Sequence, residues 1–180
     1  DTQAPTLDDL TDRNEVVDNT VCTYTHNDDL WNPTDNCDGS PTITYTVSGL
    51  TTVVTGLNTT LNGQIFNQGT TSVTWTTLDT YGNGTTINFD VVVTDTQNPT
   101  ITCPVNITQD VASGGDTSLT VAGISAPTYG DNCSVTKLTY ELSGATTAAA
   151  QVSGINELSS DTFNLGTTTV SYIAYDAAGN

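Results

Sequence analysis

The sequence predicts an all-β protein made of two similar domains in tandem, and two observations support this. Segments recur with a period of about 95 residues: 1–5 as 95–99, 35–37 as 131–133, 66–73 as 163–170 and 79–83 as 176–180. A fixed internal period indicates a repeated structural unit. Short runs of alternating β-branched and polar residues are frequent, and no apolar stripe with a 3.6-residue period is present.

The alternating runs lie in both repeats and are rich in Thr and Val. The predicted strands are residues 42–47, 72–77 and 86–93 in the first repeat and 101, 105–107, 118–121, 138–140 and 169–174 in the second. Several short strands in about 95 residues, separated by turn residues, favour an immunoglobulin-like β-sandwich for each repeat. Trp75 and Tyr172 occupy equivalent positions on a predicted strand, and we expect both in the core.

The period places the domains at residues 1–94 and 95–180. Residues 84–94 provide a seventh strand for the first domain, whereas the equivalent strand of the second would begin after Asn180. Two origins of this difference are open. The chain is a piece of a longer array, which we favour, or a neighbouring chain supplies the strand by β-augmentation.

The chain is strongly acidic, with 20 acids, two bases and a formal net charge of −18. Such a surface repels phosphate backbones and anionic lipids, so nucleic acid is excluded as a partner. No apolar run of 18 residues occurs, so direct membrane insertion is not expected. The chain begins at Asp1 without a signal peptide, which is typical of a processed or excised piece of an exported protein.

The repeated acids converge when they are placed on a sandwich. Successive strands reverse direction, so the entry segment, the second-to-third loop and the sixth-to-seventh loop share one pole. Carboxylate and amide oxygens gathered in this way suit Ca²⁺, which takes six to eight oxygen ligands in irregular geometry. We therefore predict a Ca²⁺ site at each entry pole. Its residues are Asp1, Asp35, Asn36, Asp79 and Asn83 in the first domain and Asp95, Asp131, Asn132, Asp176 and Asn180 in the second.

Three alternative interpretations explain these residues less well than a Ca²⁺ site does. They are turn formation without an ion, a Mg²⁺ site and a Zn²⁺ site. The Asp, Asn and Gly residues could serve only to shape turns, but three loops converge in each of two domains. Mg²⁺ demands stricter octahedral geometry. Zn²⁺ is disfavoured because His26 is the only histidine. Asp28, Asp29 and Asp38 could add a second ion to the first domain.

The same motifs resemble a known family. Asp95-x-x-x-Pro99, Cys103-Pro104, Asp131-Asn132-Cys133, Phe163-x-x-Gly166-Thr-Thr-x-Val170 and Asp176-x-x-Gly179-Asn180 are similar to the hyalin repeat (HYR) module. The resemblance implies an immunoglobulin-like module of extracellular adhesion proteins, including surface adhesins of gliding bacteria. It implies a non-catalytic structural or adhesive role, and the Ca²⁺ prediction does not depend on it.

The cysteines depart from the family pattern, which commonly has four in each module, whereas each repeat here has two. With two cysteines in each repeat, we predict the disulfides Cys22–Cys37 and Cys103–Cys133. Such disulfides form in an oxidising compartment outside the cell. An alternative for Cys103 is a partner beyond residue 180.

An enzyme is not expected, because no nucleophile–base pair is present and His26 is expected in a surface loop. The predicted partners are neighbouring repeats of the same protein, with surface glycans or other adhesin chains as further candidates. Two alternative functions stay open: a carbohydrate-binding accessory module, in which Trp31 stacks on a sugar, and a fibre subunit that assembles by strand donation.

Overall fold

The computed structural model describes residues 1–7, 11–27, 32–51 and 60–180. The regular elements in these ranges are all β-strands, so the predicted all-β class is confirmed. The chain divides into two compact units, unit 1 (Asp1–Thr96) and unit 2 (Gln97–Asn180). Trp31, Asp28 and Asp29, the candidates for sugar or ion binding, lie outside the described residues.

Unit 1 contains six strands in its described part: β1 Arg13–Val16, β2 Thr23–Thr25, β3 Thr42–Gly49, β4 Ile65–Asn67, β5 Gly69–Leu78 and β6 Gly84–Thr94. One sheet has the order β1-β6-β5-β3, and β2 pairs with β4 in another. Strand β6 lies between β1, to which it is parallel, and β5, to which it is antiparallel. The β3-β5-β6 and β2-β4 groupings are those of an immunoglobulin-type sandwich, as predicted.

The alternation in β5 shows why these residues form strands. Thr71, Val73, Trp75 and Thr77 share one face, and all four are fully buried. Successive side chains of a strand point to opposite faces, so the residues between them face outward. There they form cross-strand hydrogen bonds to β6, such as the one that Ser72 Oγ donates to Asp90 at 2.6 Å. The core position predicted for Trp75 is confirmed.

His26 is buried, which corrects its predicted place in a surface loop. Only 2% of the residue is exposed. The backbone continues the pairing of β2, because His26 N–H donates to the Gln64 carbonyl at 2.9 Å. This pairing puts the ring on the same face as Tyr24, whose hydroxyl lies 3.2 Å from His26 Nδ1, and edge-on to Phe66. His26 is therefore part of the core of unit 1.

Unit 2 also has six strands: β7 Thr100–Thr102, β8 Ser118–Ala122, β9 Thr128–Gly130, β10 Val135–Gly144, β11 Ser160–Asn164 and β12 Thr168–Asp176. They pair as β7-β9, β8-β11 and β10-β12, each antiparallel. The last two pairs correspond to β2-β4 and β3-β5 of unit 1. The β7-β9 pair corresponds to the isolated bridge between Thr6 and Thr34.

No strand of unit 2, which is described throughout, corresponds to β6. The strand predicted at residues 105–107 is also absent, and this prediction was wrong. Its counterpart in unit 1 is the region of β1, which hydrogen-bonds to β6. Without an equivalent of β6, the second-unit segment has no backbone partner, and Val105 is 87% exposed.

The two predicted disulfides are not formed, because Cys37 and Cys103 are free and exposed. Cys22 and Cys133 are disulfide-bonded. In unit 1, Cys22 Sγ lies 3.4 Å from Gln68 Oε1, just before β5. Cys37 lies in the Asp35 loop, beside Asp79 at the other end of β5. Ten strand residues span roughly 30 Å, far beyond the reach of a disulfide.

Cys103 and Cys133 are separated for a similar reason. Strands β7 and β9 are antiparallel, with Thr102 opposite Thr128 and Thr100 opposite Gly130. Cys103 follows Thr102 at one end of the pair, whereas Cys133 lies three residues beyond Gly130 at the other end. Their Cα atoms therefore cannot approach within the roughly 7 Å that a disulfide requires.

Candidate metal sites

The turn after β5 is organised around the carboxylate of Asp79. Asp79 Oδ1 accepts hydrogen bonds from the N–H groups of Tyr81 and Asn83, at 2.9 and 2.7 Å. Asp79 Oδ2 accepts one from Asn83 Nδ2 at 2.7 Å. The residue is only 7% exposed. The Asp-x-x-Gly-Asn motif thus places a buried, ionised carboxylate at the entry pole of unit 1.

The turn after β12 repeats this arrangement around Asp176. Asp176 Oδ1 accepts from the N–H groups of Gly179 and Asn180 at 2.7 and 2.8 Å, and Oδ2 accepts from Asn180 Nδ2 at 2.8 Å. The residue is 4% exposed. The repeated sequence therefore produces a repeated hydrogen-bond pattern.

The pKa values of both carboxyls are lowered from the usual 3.8. Burial by itself raises the pKa, but the side-chain and backbone hydrogen bonds from Asn83 and its neighbours outweigh burial at Asp79. Asn180, Gly179 and Ala178 have the same effect at Asp176. Donors that point at a carboxylate favour its charged form. Both acids consequently keep their negative charge well into the acidic range.

The loops that contain Asp35 and Asp131 also match one another. Asp35 Oδ2 accepts from the N–H groups of Cys37 and Asp38 at 2.8 and 2.9 Å. Asp131 Oδ2 accepts from those of Cys133 and Ser134 at 2.8 and 3.3 Å. In each loop one carboxylate oxygen holds the turn. The other oxygen of Asp35, Oδ1, is buried and has no hydrogen-bond partner among the described residues.

Three of the predicted ligands in unit 1 come together. One carboxylate oxygen each from Asp1, Asp35 and Asp79 lies within 4.8 Å of the other two. At this separation each pair of charges repels by about 3–4 kcal/mol at an effective dielectric constant near 20. The chain has only two basic residues with which to compensate 20 acids. Lys137, one of the two, lies over the Tyr175 ring in unit 2, with Nζ 3.7 Å from the ring centroid.

The remaining predicted ligands of the second repeat are described singly. Asp95, from the entry segment, is 5% exposed, and Asp131 is half-buried. Because Cys133 is disulfide-bonded, its sulfur is not the thiolate that binds metals. Asp176 forms the same turn as Asp79.

The predicted asparagines occupy different positions. Asn83 and Asn180 turn their amide nitrogens toward the acids of their own turns, and Asn83 Nδ2 also donates to the Asp1 carbonyl at 3.3 Å. Asn132 Oδ1 is buried, and its Nδ2 lies 3.6 Å from Cys133 Sγ. Asn36 is exposed. Amide nitrogens do not bind cations, so ligation by these residues, which stays a prediction, is restricted to their oxygens.

Asp38 links two loops, a role that its sequence does not predict. Its Oδ2 accepts from Thr80 N–H at 2.9 Å, and its Oδ1 accepts from Ser40 N–H at 2.9 Å. Asp38 therefore joins the β2–β3 loop to the β5–β6 turn, the two loops that carry Asp35 and Asp79. The spacing Asp38-x-Ser40 is typical of an Asx turn, so the bond to Ser40 could be predicted from the sequence. The bond to Thr80 could not, because it joins residues that are far apart in the chain.

Comparison with known proteins identifies the second unit. The model of the HYR domain matches residues 94–180. This part of the chain is a hyalin-repeat-like module. The sequence motifs that resemble the HYR module lie in it, including the Asp131 loop and the Asp176 turn.

Two further proteins are similar to this chain. Hyalin from Strongylocentrotus purpuratus is 32% identical over 139 residues, which cover 76% of this chain and 10% of Hyalin. The alignment is longer than the HYR match and so reaches into unit 1. The structure of a protocadherin gammaB7 EC3-6 cis-dimer covers 96% of this chain and 48% of that one, with 10% identity and a TM-score of 0.39. That similarity is too low to indicate a shared function.

Proposed function

We propose that the chain is a non-catalytic segment of an extracellular repeat array with a structural or adhesive role, in which Ca²⁺ binds at the entry pole of each module. The HYR module and the disulfide-bonded cysteines support the extracellular setting. Among the described residues, no helix is long and apolar enough to cross a membrane. The chain spans about a tenth of Hyalin, so the ligand of the whole protein is part of the proposal.

The observation that carries the Ca²⁺ proposal is the group formed by Asp1, Asp35 and Asp79. Its carboxylates come from the entry segment and from two loops, and each loop is preformed by its own hydrogen bonds. Asp35 Oδ1 is buried without a described donor, an arrangement that is unfavourable unless a cation or a proton compensates it. Hard oxygen ligands in irregular loops suit Ca²⁺ better than zinc or copper.

Bound Ca²⁺ would join elements that are distant in the sequence. In unit 1 the ion would link the entry segment to the β2–β3 loop and to the β5–β6 turn. In the HYR module, Asp95 is the corresponding residue of the entry segment, and Asp131 belongs to a loop. Binding would replace repulsion between carboxylates by shared attraction to the ion. We propose that this stiffens the array and leaves its exposed faces for neighbouring repeats.

Calorimetric titration of the full chain with Ca²⁺, combined with thermal unfolding in Ca²⁺ and in EDTA, tests this function. A ligand at one hundred times its Kd stabilises the folded state by about 2.7 kcal/mol. We therefore expect a clear rise of Tm in Ca²⁺ and a much smaller rise in Mg²⁺. An equal Tm in Ca²⁺ and EDTA, with no heat of binding, would refute the proposal.

Asp35→Asn gives the sharpest variant. The new side chain keeps one acceptor oxygen for the loop and puts an amide nitrogen in place of the second oxygen, so the turn survives while ion binding is lost. Asp110→Asn is the matched control, because it removes the same charge from an exposed position outside the group of Asp1, Asp35 and Asp79. The Tm difference between Ca²⁺ and EDTA should shrink in Asp35→Asn alone. Equal shrinkage in both variants would indicate a general effect of charge.

A further inference from the structure

Asp38 lies in the β2–β3 loop of unit 1, beside the proposed Ca²⁺ site, but it is not one of the three clustered carboxylates. Its side chain is held by two backbone N–H groups. Ser40 N–H donates to Oδ1 and Thr80 N–H donates to Oδ2, both at 2.9 Å. Because each carboxylate oxygen has a donor, the half-buried Asp38 has a defined orientation before any ion binds.

A path of two hydrogen bonds through Asp38 connects two of the proposed ligands. Asp38 N–H donates to Oδ2 of Asp35 at 2.9 Å, and Oδ2 of Asp38 accepts from Thr80 N–H at 2.9 Å. Thr80 follows Asp79 directly in the chain, whereas 42 positions separate it from Asp38. Asp38 therefore fixes the Asp35 loop to the Asp79 turn.

This connection opposes the repulsion between the ligand carboxylates. The clustered oxygens lie within 4.8 Å of one another, so without an ion they push their loops apart. The hydrogen bonds inside each loop orient a single acid and do not set the distance from one loop to the other. A site whose ligands are already in place loses less conformational freedom when it binds. Groups that orient metal ligands therefore contribute strongly to metal affinity.

The second repeat has no such connection at the equivalent position. The motif Asp-Asn-Cys at residues 35–37 is followed by Asp38, whereas the same motif at residues 131–133 is followed by Ser134. Ser134 N–H donates to Asp131 at 3.3 Å, but the Ser134 hydroxyl forms no hydrogen bond within unit 2, which is described throughout. The link between the two loops is therefore a property of unit 1 and not of the repeated motif.

We propose that Asp38 is a positioning residue of the Ca²⁺ site in unit 1, which holds the Asp35 loop and the Asp79 turn at the separation that the ion requires. This role rests on the proposed function of that site. Asp38 acts through its bond to Thr80, so its acceptor oxygen matters more than its charge. Loss of this bond lowers the affinity for Ca²⁺ although all three ligand carboxylates remain.

Four substitutions in the full chain separate the hydrogen bond from the charge. Asp38→Ser has a side chain too short to reach Thr80, and Thr80→Pro removes the N–H donor without changing any charge. Asp38→Asn keeps an acceptor oxygen but loses the charge, and Thr80→Ala keeps the N–H. The two members of each pair differ mainly in whether the bond can form.

The measurement is thermal unfolding of unit 1, in EDTA and over a series of Ca²⁺ concentrations. Tryptophan fluorescence follows this unit, because both tryptophans lie in it. The rise of Tm with Ca²⁺ gives an apparent Kd for each variant. The Tm in EDTA measures separately any loss of stability that does not involve the ion.

We expect Asp38→Ser and Thr80→Pro to raise the Kd by roughly tenfold or more, the usual effect of removing a group that orients a metal ligand. Asp38→Asn and Thr80→Ala should stay within about threefold of the wild-type Kd, because both keep the bond and a partly exposed charge is screened by salt.

Three results would overturn the inference. If Asp38→Asn weakens binding as much as Asp38→Ser does, Asp38 acts through its charge, either on this ion or as a ligand of a second one. This comparison also decides the matter if Thr80→Pro does not fold. If all the variants bind Ca²⁺ as the wild type does, the loops need no positioning by Asp38. If the wild-type Tm does not depend on Ca²⁺, the proposed function fails together with this inference, whereas the first two results leave it intact.

Discussion

Asn83 holds the carboxylate of Asp79 with two donors, its backbone N–H to Oδ1 at 2.7 Å and its side-chain Nδ2 to Oδ2 at 2.7 Å. Asn180 holds Asp176 in the same way, with both distances at 2.8 Å. Both aspartates are buried. In each repeat the Asn positions the acid, and its hydrogen bonds offset part of the free-energy cost of burying the carboxylate. The pair therefore keeps a carboxylate ionised at the entry pole before any cation arrives.

Asn83→Ala should lower the stability of unit 1, because it removes a hydrogen bond to a buried charge. Such bonds contribute roughly 1.5–3 kcal/mol. Urea unfolding in EDTA, followed by tryptophan fluorescence, reports on unit 1 because both tryptophans lie in it. Asn14→Ala, at an exposed position of β1, is the control. Equal urea midpoints for the two variants would contradict the structural role of Asn83.

Stability should fall in acid because of Asp79 and Asp176. Their folded-state pKa values lie below the usual 3.8, so the folded chain keeps these carboxylates ionised where the unfolded chain protonates them. The contribution is fully present above about pH 4 and is lost as the pH falls through the lowered pKa values. Urea midpoints measured from pH 6 to pH 2 check this. Asp79→Asn should flatten the dependence for unit 1, whereas an unchanged slope would show that Asp79 is not responsible.

Native protein should contain two reactive thiols per chain, Cys37 and Cys103, because both are exposed and free. Titration with a thiol reagent, before and after unfolding without reductant, should give the same number. Cys37→Ser should reduce the count by one and change the free energy of unfolding by less than about 0.5 kcal/mol, as surface substitutions do. A count of four would show that no disulfide is formed. A count of zero would support the two pairs predicted from the sequence.

Trp75→Ala should destabilise unit 1 more than Tyr172→Ala destabilises unit 2. Trp75 is fully buried and packs against Tyr45 with ring centroids 5.0 Å apart, and removing a buried aromatic side chain costs about 3–5 kcal/mol. Tyr172 is half-buried and lines a cavity of about 580 Å³ in unit 2. Urea unfolding of both variants measures the difference. Equal losses would mean that the β12 face is already packed as well as the β5 face.

Much of the candidate site was predictable because it depends on local turns and on strand parity. The motifs around Asp35 and Asp79 specify turns, and successive strands alternate in direction, so their meeting with Asp1 follows from the topology. The separate positions of Asp176 and Asn36 were not predictable, since they depend on where each side chain points. The disulfide predictions failed because spacing along the chain does not reveal which end of a strand a cysteine occupies. The burial of His26 was not predictable for a similar reason, because it depends on backbone pairing with Gln64, which is distant in the sequence.

The sequence by itself determined the repeat, the all-β class and the acidic loops, because period, alternation and turn chemistry are properties of neighbouring residues. Only the tertiary structure decided which acids meet, which cysteines stay free and how deeply each strand residue is buried. These depend on strand pairing between residues far apart in the chain. Val73 and Val170 illustrate this dependence on distant residues. Val73 is fully buried, whereas Val170 is half-buried and lines a cavity. The two valines have nearly the same local sequence, but Val73 lies where β6 pairs with β5, and residues 97–180 include no equivalent of β6.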